Sequence, residues 1–432
     1  MAPTPSDAAS SGKSSGQGGA PGQIRGSVGS PVYPACVRLI HTSDWHLGRS
    51  FHRVGLLDAQ AAYLDHLVEV VRSERVDAVL VSGDVYDRAM PAPETVALLS
   101  EAVTRLIDAG AQVVLSSGNH DSAIRLGFAS ELLERAGLHI RTRLDGIGSP
   151  VLVGDTAVYP LPYLEPVTAA DPLGAAERTH AGVLRAAMER VRADLAARPT
   201  RSSVVMAHAF VTGGATSESE RDISVGGVSA VHPDVFAGID YAALGHLHGP
   251  QQISDTIRYS GSPVALSFSE ADHAKASFLL DLSADPLRVT SIDAPVLRPV
   301  RRLRGTLEEL LGDPRHRAAE SAWCQVTLTD AIRPLGAMER VQQRFPHALV
   351  LQFEDAGVQV GATSYAARVR ERDDLALCCD FLEHVRAGAG ATEQERAVLA
   401  EAVEGSRHGR SLREDEGQAD TSSPAASRRS VA

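Results

Sequence analysis

The sequence predicts a layered α/β domain, then a smaller α+β domain and C-terminal helices. Three observations carry this. Between about residues 37 and 246, apolar runs of four to six residues alternate with helical periodicity, as in strands stacked under helices. From about 275 the texture shifts to shorter β-rich segments with brief helices between them, and beyond about 363 only helical periodicity remains.

In chain order, VRLIHT (37–42) reads as a buried strand and Leu56 to Glu74 as an amphipathic helix. DAVLVSG (77–83) is a second strand, ETVALLSEAVTRLIDAG (94–110) a helix and AQVVLSSG (111–118) a third strand. A long helix around 173–198 precedes strands at SVVMAH (203–208) and YAALGH (241–246). Strands follow at ASFLLDL (276–282), LRVTSID (287–293), WCQVTLT (323–329) and ALVLQF (348–353), with helices near 306–312 and 336–344. The stretch 363–404 reads as one or two helices with apolar positions such as Val369, Leu375, Phe381, Leu382, Val398, Leu399 and Val403. Residues 1–34 and 405–432 hold too little apolar surface to offset the entropy of ordering and are expected to be disordered. The expected domains are 35–285, 286–360 and a helical segment 361–404.

A chain of 432 residues accommodates two or three domains, and 44% hydrophobic with 22% charged residues is the balance of a soluble globular protein. The net charge of −12 argues against coating nucleic acid through a basic surface. It leaves nucleic acid open as a substrate, because bound divalent ions or a partner subunit can supply positive charge. Cys36, Cys324, Cys378 and Cys379 form neither a CxxC pair nor an even disulfide framework, which suits a reducing cytoplasm. Neither an export signal nor an apolar run of the roughly 18 residues needed to span a membrane is present, so neither export nor insertion is expected.

Each strand end of the first domain carries a polar cluster: HTSDWHLG (41–48), SGDVYDR (82–88), SSGNHDS (116–122), MAHAF (206–210) and GHLHGP (245–250). Ligands bind at the carboxyl ends of strands in layered α/β folds, so clusters 200 residues apart are expected to converge. Asp44, His46, Asp84, Asn119, His208, His246 and His248 supply two carboxylates, four imidazoles and an amide carbonyl. That mix suits Mn²⁺, Fe²⁺ or Zn²⁺ better than all-oxygen Ca²⁺ or thiolate-held structural zinc. Seven donors exceed what one ion open to substrate can use, and fit two ions sharing a bridging carboxylate. The two histidines of GHLH are then most simply one ligand for each ion. His41, His52 and His66 have no comparable setting.

DxH, GDxxD, GNHD, a histidine after a strand and GHxH, in this order, resemble the calcineurin-like metallophosphoesterases. Over about 37–285 the chain is similar to the SbcD family of bacterial nuclease subunits, through HTSDWHLGRSF, SGDVYDRAMPAPE, SERDISVGGVSAVHPDVFAGIDYAALGHLHGPQ and YSGSPVALSFSEADHAK. The resemblance implies a metallophosphoesterase β-sandwich flanked by helices, with Asp44, His46 and His248 on one ion, Asn119, His208 and His246 on the other, and Asp84 bridging. It places His120 at the scissile phosphate as electrophile or leaving-group acid. Asp87 stands where some relatives carry a second catalytic histidine.

The resemblance further implies a Mn²⁺-dependent nuclease in DNA end processing, replication and recombination, acting 3′→5′ on double strands and endonucleolytically on hairpins and single strands. The second domain would be a DNA-recognition cap. The C-terminal helices would dock on the coiled-coil ATPase SbcC, within a heterotetramer holding a homodimer of this chain; the chain has no GxxxxGK[ST] loop of its own. Two rival readings are a phosphoesterase of small phosphodiesters or phosphomonoesters, which leaves the cap without a purpose, and a non-catalytic scaffold.

Overall fold

The computed structural model describes residues 37–221, 223, 230–354, 373–386 and 388–417. The expected N-terminal tail, the positions up to Val369 in the helical segment and the last residues of the chain lie outside them.

Two six-stranded sheets form the first domain. In spatial order, one contains β14 (Arg288–Asp293), β13 (Ala276–Asp281), β1 (Arg38–Thr42), β4 (Ala78–Ser82), β5 (Gln112–Ser116) and β6 (Leu138–Arg141). The other contains β11 (Gln251–Gln252), β12 (Ile257–Tyr259), β10 (Tyr241–Gly245), β9 (Ser202–His208), β8 (Thr156–Pro160) and β7 (Val151–Val153). β1, β4, β5 and β6 run parallel, as do β8, β9, β10 and β12, so their carboxyl ends share one edge. A short hairpin, β2 (Ser50–Phe51) and β3 (Val54–Gly55), follows β1.

Side chains alternate along each strand with the period of two that the pleat imposes. Leu39, Leu80, Val114, Val204, Met206 and Ala243 face between the sheets. Ile40, Val79, Val81, Val113 and Leu115 point outward under α1 (Leu57–Glu74) and α2 (Pro93–Asp108). Across the sandwich, Tyr159, Val205, Ala207 and Leu244 point outward under α5 (Pro166–Leu173) and α6 (His180–Ala197). Coverage on both faces is why these strands read as continuous apolar runs. The helices bury one stripe each, as with Leu64, Leu67, Val68 and Val71 of α1.

The second domain is a three-stranded parallel sheet of β15 (Val300–Gly305), β16 (Trp323–Leu328) and β17 (Ala348–Phe353). It packs on α7 (Leu307–Gly312), capped by a Thr306–Glu309 box, and α8 (Ala337–Arg344), around Leu310, Val326, Val341 and Phe345. Two C-terminal helices follow, α9 (Asp374–Val385) and α10 (Glu393–Gly417). Among the described residues, no helix is long and apolar enough to cross a membrane.

Four differences from the sequence reading have physical causes. The strand predicted at 287–293 pairs antiparallel with β13 along its whole length, so it belongs to the first domain and not to a second one beginning at 286. The helix expected around 173–198 starts only at His180, because Gly174 ends a separate, unexpected helix, α5, in the left-handed conformation and Thr179 caps α6 anew. Helix α10 runs to Gly417, well past the expected end at 404, through a stretch with three arginines and two glutamates and with no proline before Pro424. Short β6, β7 and β8 and the charged edge strand β15 were not predicted, since strands of three to six residues with polar neighbours carry little periodic signal. In the same region lie two one-turn helices, α3 (Ala123–Leu126) and α4 (Ser130–Leu133).

Candidate metal centre

The polar clusters at the strand ends meet at the shared edge of the sandwich. Asp44, His46, Asp84, His208, His246 and His248 are all buried, and His120 is nearly so. Donor atoms of Asp44, His46 and His248 lie within 4.8 Å of one another, as do those of Asp44, Asp84 and His208, and those of His46, Asp84 and His120. Asn119 presents its Oδ1 2.9 Å from His208 Nε2. His246 joins none of these three groups. Its ring centroid stands 5.4 Å from that of His208, and its backbone N–H donates to both oxygens of Asp44 at 3.0 and 3.1 Å.

The turns that deliver these groups are strained. Asp44, His46, Asp84 and His246 have φ of 53°, 43°, 49° and 102°, a region L-residues populate sparsely and at a cost of about 1–3 kcal/mol each. Asp121 accepts N–H groups from Val85, Tyr86 and Gly118 at 2.9–3.1 Å, tying the second and third strand-end loops together. Gly118 is obligatory there, since a Cβ would sit 2.2 Å from Asp84 Oδ1.

Two of the imidazoles are held by one nitrogen and turn the other toward the centre. His208 Nδ1 lies 3.0 Å from the Ser82 carbonyl and His120 Nδ1 2.8 Å from the Asp87 carbonyl, and a carbonyl only accepts, so both rings carry their proton on Nδ1. Their Nε2 atoms face Asp84 Oδ2 at 3.4 and 4.0 Å. His46 Nε2 lies 3.5 Å from the same oxygen and 3.1 Å from His248 Nε2. Imidazole nitrogens and carboxylate oxygens thus crowd one buried space, an arrangement that calls for a cation there, a proton or a metal ion. The field agrees. Burial pushes His208 down, but Asp84 and Asp44 more than reverse this and lift it to about 9. Burial pushes Asp84 up, yet His208, His46 and His120 hold it well below the usual carboxylate range. Burial, with the Asp84 charge opposing, takes His120 down to about 4.

Asp87 lies at the back of His46, its Oδ1 3.4 Å from His46 Nδ1 and 3.0 Å from Arg49 Nη1. It orients a ring and holds a guanidinium. His41 lies apart, between the sheets, while His52 packs on Phe51 and Phe268.

Several supporting residues escaped the sequence reading. Gln60 donates to the His46 carbonyl at 2.7 Å, and Glu220 accepts the His248 N–H at 2.8 Å. Ser219, Glu270 and Lys275 surround His248. The last three lie in SERDI and SFSEADHAK, stretches conspicuous in sequence but without strand-end geometry to mark them.

Residues 37–250 match the family model described as calcineurin-like phosphoesterase, and residues 296–386 match the SbcD_C model, described as type 5 capsule protein repressor C-terminal domain. Among solved structures the chain is similar to TT1561 of Thermus thermophilus, at 13% identity over 59% of this chain and 99% of that one, with a TM-score of 0.36. It is similar also to GAP50, the anchor in the inner membrane complex of Plasmodium, at 10% identity over 60% and 86%, with a TM-score of 0.34. A dimetal phosphatase from Danio rerio matches at 12% identity over 60% and 99%, with a TM-score of 0.30.

Proposed function

We propose that this chain is a two-metal DNA nuclease subunit of the SbcD type, with Mn²⁺ as its working ion; the match of residues 37–250 to the calcineurin-like phosphoesterase model supports hydrolysis of phosphoester bonds. The observation that carries the reading is the pairing of that centre with a C-terminal domain matching SbcD_C over 296–386. A phosphoesterase of small molecules has no use for this second domain. On the proposed reading it is the cap that recognises DNA, and cleavage is 3′→5′ on duplex ends and endonucleolytic on hairpins and single strands, in DNA end processing, replication and recombination.

In this reading Asp44, His46 and His248 would hold one ion and Asn119, His208 and His246 the other, with Asp84 shared between them. When bound, two divalent ions lower the cost of ionising water and offset charge building on the phosphate. His120, whose Nδ1–H is anchored on the Asp87 carbonyl at 2.8 Å, presents Nε2 toward the centre and so faces the scissile phosphate. Asp87, in contact with His46 and Arg49, positions rather than reacts.

Two exposed apolar surfaces support the expected partners. Ile124, Phe128 and Leu132 are 88%, 80% and 68% exposed, beside a groove of about 480 Å³ between α2 and β6; it is the proposed contact with a second copy. Helices α9 and α10 expose Phe381, Val385 and Val398, the proposed dock for a coiled-coil ATPase. The reading places the protein in the cytoplasm.

The test offers purified chain and Mn²⁺ a labelled hairpin, a linear duplex and bis-p-nitrophenyl phosphate, with and without the ATPase. Cleavage of hairpin and duplex, abolished by EDTA and enhanced by ATPase with ATP, is expected. Hydrolysis of the small diester alone would favour the small-substrate reading, and inactivity on all three the scaffold.

A further inference from the structure

We infer that Ser219, Glu270 and Lys275 are positioning residues that hold His248 with its Nε2 lone pair turned into the centre, so that metal affinity on the His46–His248 side depends on the Glu270 carboxylate. The inference rests on the metallophosphoesterase reading, since it takes His248 to be a ligand.

Proton bookkeeping along one chain of hydrogen bonds fixes the ring. Ser219 Oγ donates to Glu270 Oε1, which as a carboxylate only accepts. The hydroxyl has a single proton, so at 2.6 Å from His248 Nδ1 its oxygen is the acceptor and the imidazole the donor. The proton of His248 is therefore on Nδ1, and Nε2, 3.1 Å from His46 Nε2, is bare. Glu270 Oε1 itself lies 3.7 Å from His248 Nδ1, backing the same proton.

Lys275 locks this arrangement from the other side. Its ammonium pairs with Glu270 Oε2, donates to the His248 carbonyl at 2.8 Å and reaches Ser262 Oγ at 2.9 Å. The ligand is thus held at ring and backbone by the two members of one ion pair. The pair is almost wholly buried, Glu270 at 1% and Lys275 at 6% exposure. Buried ion pairs seldom stabilise more than apolar residues of similar size would. Stability alone gives no reason for this one, whereas orienting a ligand does, because partners that fix a ligating imidazole typically change metal affinity 10–100-fold. Both charges come from one short stretch, SFSEADHAK, which the proposed catalytic steps leave unused.

The experiment compares full-length parent, Glu270→Gln/Lys275→Met, Ser219→Ala and Ser219→Thr by calorimetric titration with Mn²⁺ and by thermal unfolding without metal. The double variant removes both charges together, leaving neither buried alone. It is expected to melt close to the parent yet bind Mn²⁺ roughly 10–100-fold more weakly. Ser219→Ala shares the loss, and Ser219→Thr, which keeps the hydroxyl, recovers most of it. A double variant with parental affinity makes the pair purely structural and overturns the inference. If the double variant does not fold, equal affinity in Ser219→Ala and parent overturns it instead. A parent that binds no Mn²⁺ fails the metallophosphoesterase reading itself, and the inference falls with it.

Discussion

Asp84 is the residue on which the candidate centre turns. Its Oδ2 is within 3.4–3.5 Å of His208 and His46 Nε2, and its Oδ1 accepts the His120 N–H at 2.8 Å. Asp84→Asn keeps the shape and an acceptor for that N–H but removes the charge. It should lower bound Mn²⁺ per chain and abolish phosphodiester hydrolysis, measured by metal analysis and bis-p-nitrophenyl phosphate turnover; a variant retaining two tightly held ions would refute bridging. His120→Ala should separate the two readouts, losing roughly 10²–10⁴-fold in rate, as when a positioned acid–base group is removed, with metal content unchanged. Loss of metal with rate would make His120 a ligand. At this scale the donors were legible because each follows an apolar run that could only be a buried strand. Their backbone strain was not, since nothing in the letters of Asp44 or His246 announces a positive φ. Nor was the ring of Ser219, Glu270 and Lys275, which only the fold carries to His248.

At the scale of elements, β1 shows how packing separates one histidine from the others. His41 precedes Asp44 by three residues but points between the sheets, donating from Nε2 to the Leu244 carbonyl at 3.1 Å and accepting from Tyr241 Oη at 3.0 Å. Burial, opposed by the Leu244 carbonyl, takes it down to about 3. Below its ordinary value near 6.5 the unfolded chain binds a proton that the folded chain refuses, so stability falls as pH falls from about 6.5 toward 3, by at most about 1.4 kcal/mol per pH unit. Denaturant melts of metal-free protein at pH 7.5 and 5 should show His41→Gln losing less stability than the parent; an identical loss would mean His41 already titrates normally. The C-terminal helices are the opposite case, with no buried side chain among those described in α9 and α10. Ending the chain near Gly361 should leave a soluble protein that hydrolyses the small diester with Mn²⁺ but no longer co-purifies with the ATPase. Aggregation would place the helices in the core, and continued binding would move the dock elsewhere. The apolar stripe from Phe381 to Leu399 was legible as helix; that it packs on nothing buried was not, because an amphipathic pattern does not say what covers it.

For the whole molecule, what matters is how firmly the second domain is fixed to the first. The joint is a small cluster in which Phe51, Leu56, Leu266 and Phe268 of the first domain meet Val300, with Trp323, Leu349 and Val350 packed against it. Phe51 is its centre, 1% exposed, with ring centroids 4.8 Å from Phe268 and 5.4 Å from Trp323. It comes from the small hairpin beginning eight residues after strand β1, so the segment that supplies Asp44 and His46 also carries the main apolar contact to the second domain. A cavity of about 220 Å³ runs along this joint and is lined by Trp323 and Val300 on one side and by Glu270 and Lys275 on the other. Removing a fully buried phenylalanine typically costs about 3–5 kcal/mol. Here the loss falls at an interface between two units that each have their own core. Phe51→Ala should therefore loosen the joint before it unfolds either domain. Calorimetry is expected to resolve two thermal transitions where the parent has one, while metal binding and small-diester hydrolysis by the first domain stay near parental values and activity on duplex DNA falls. A single transition shifted down as a block would mean that the two domains unfold as one unit, and DNA cleavage falling only in step with the small diester would mean that the second domain does not depend on this joint for placing substrate.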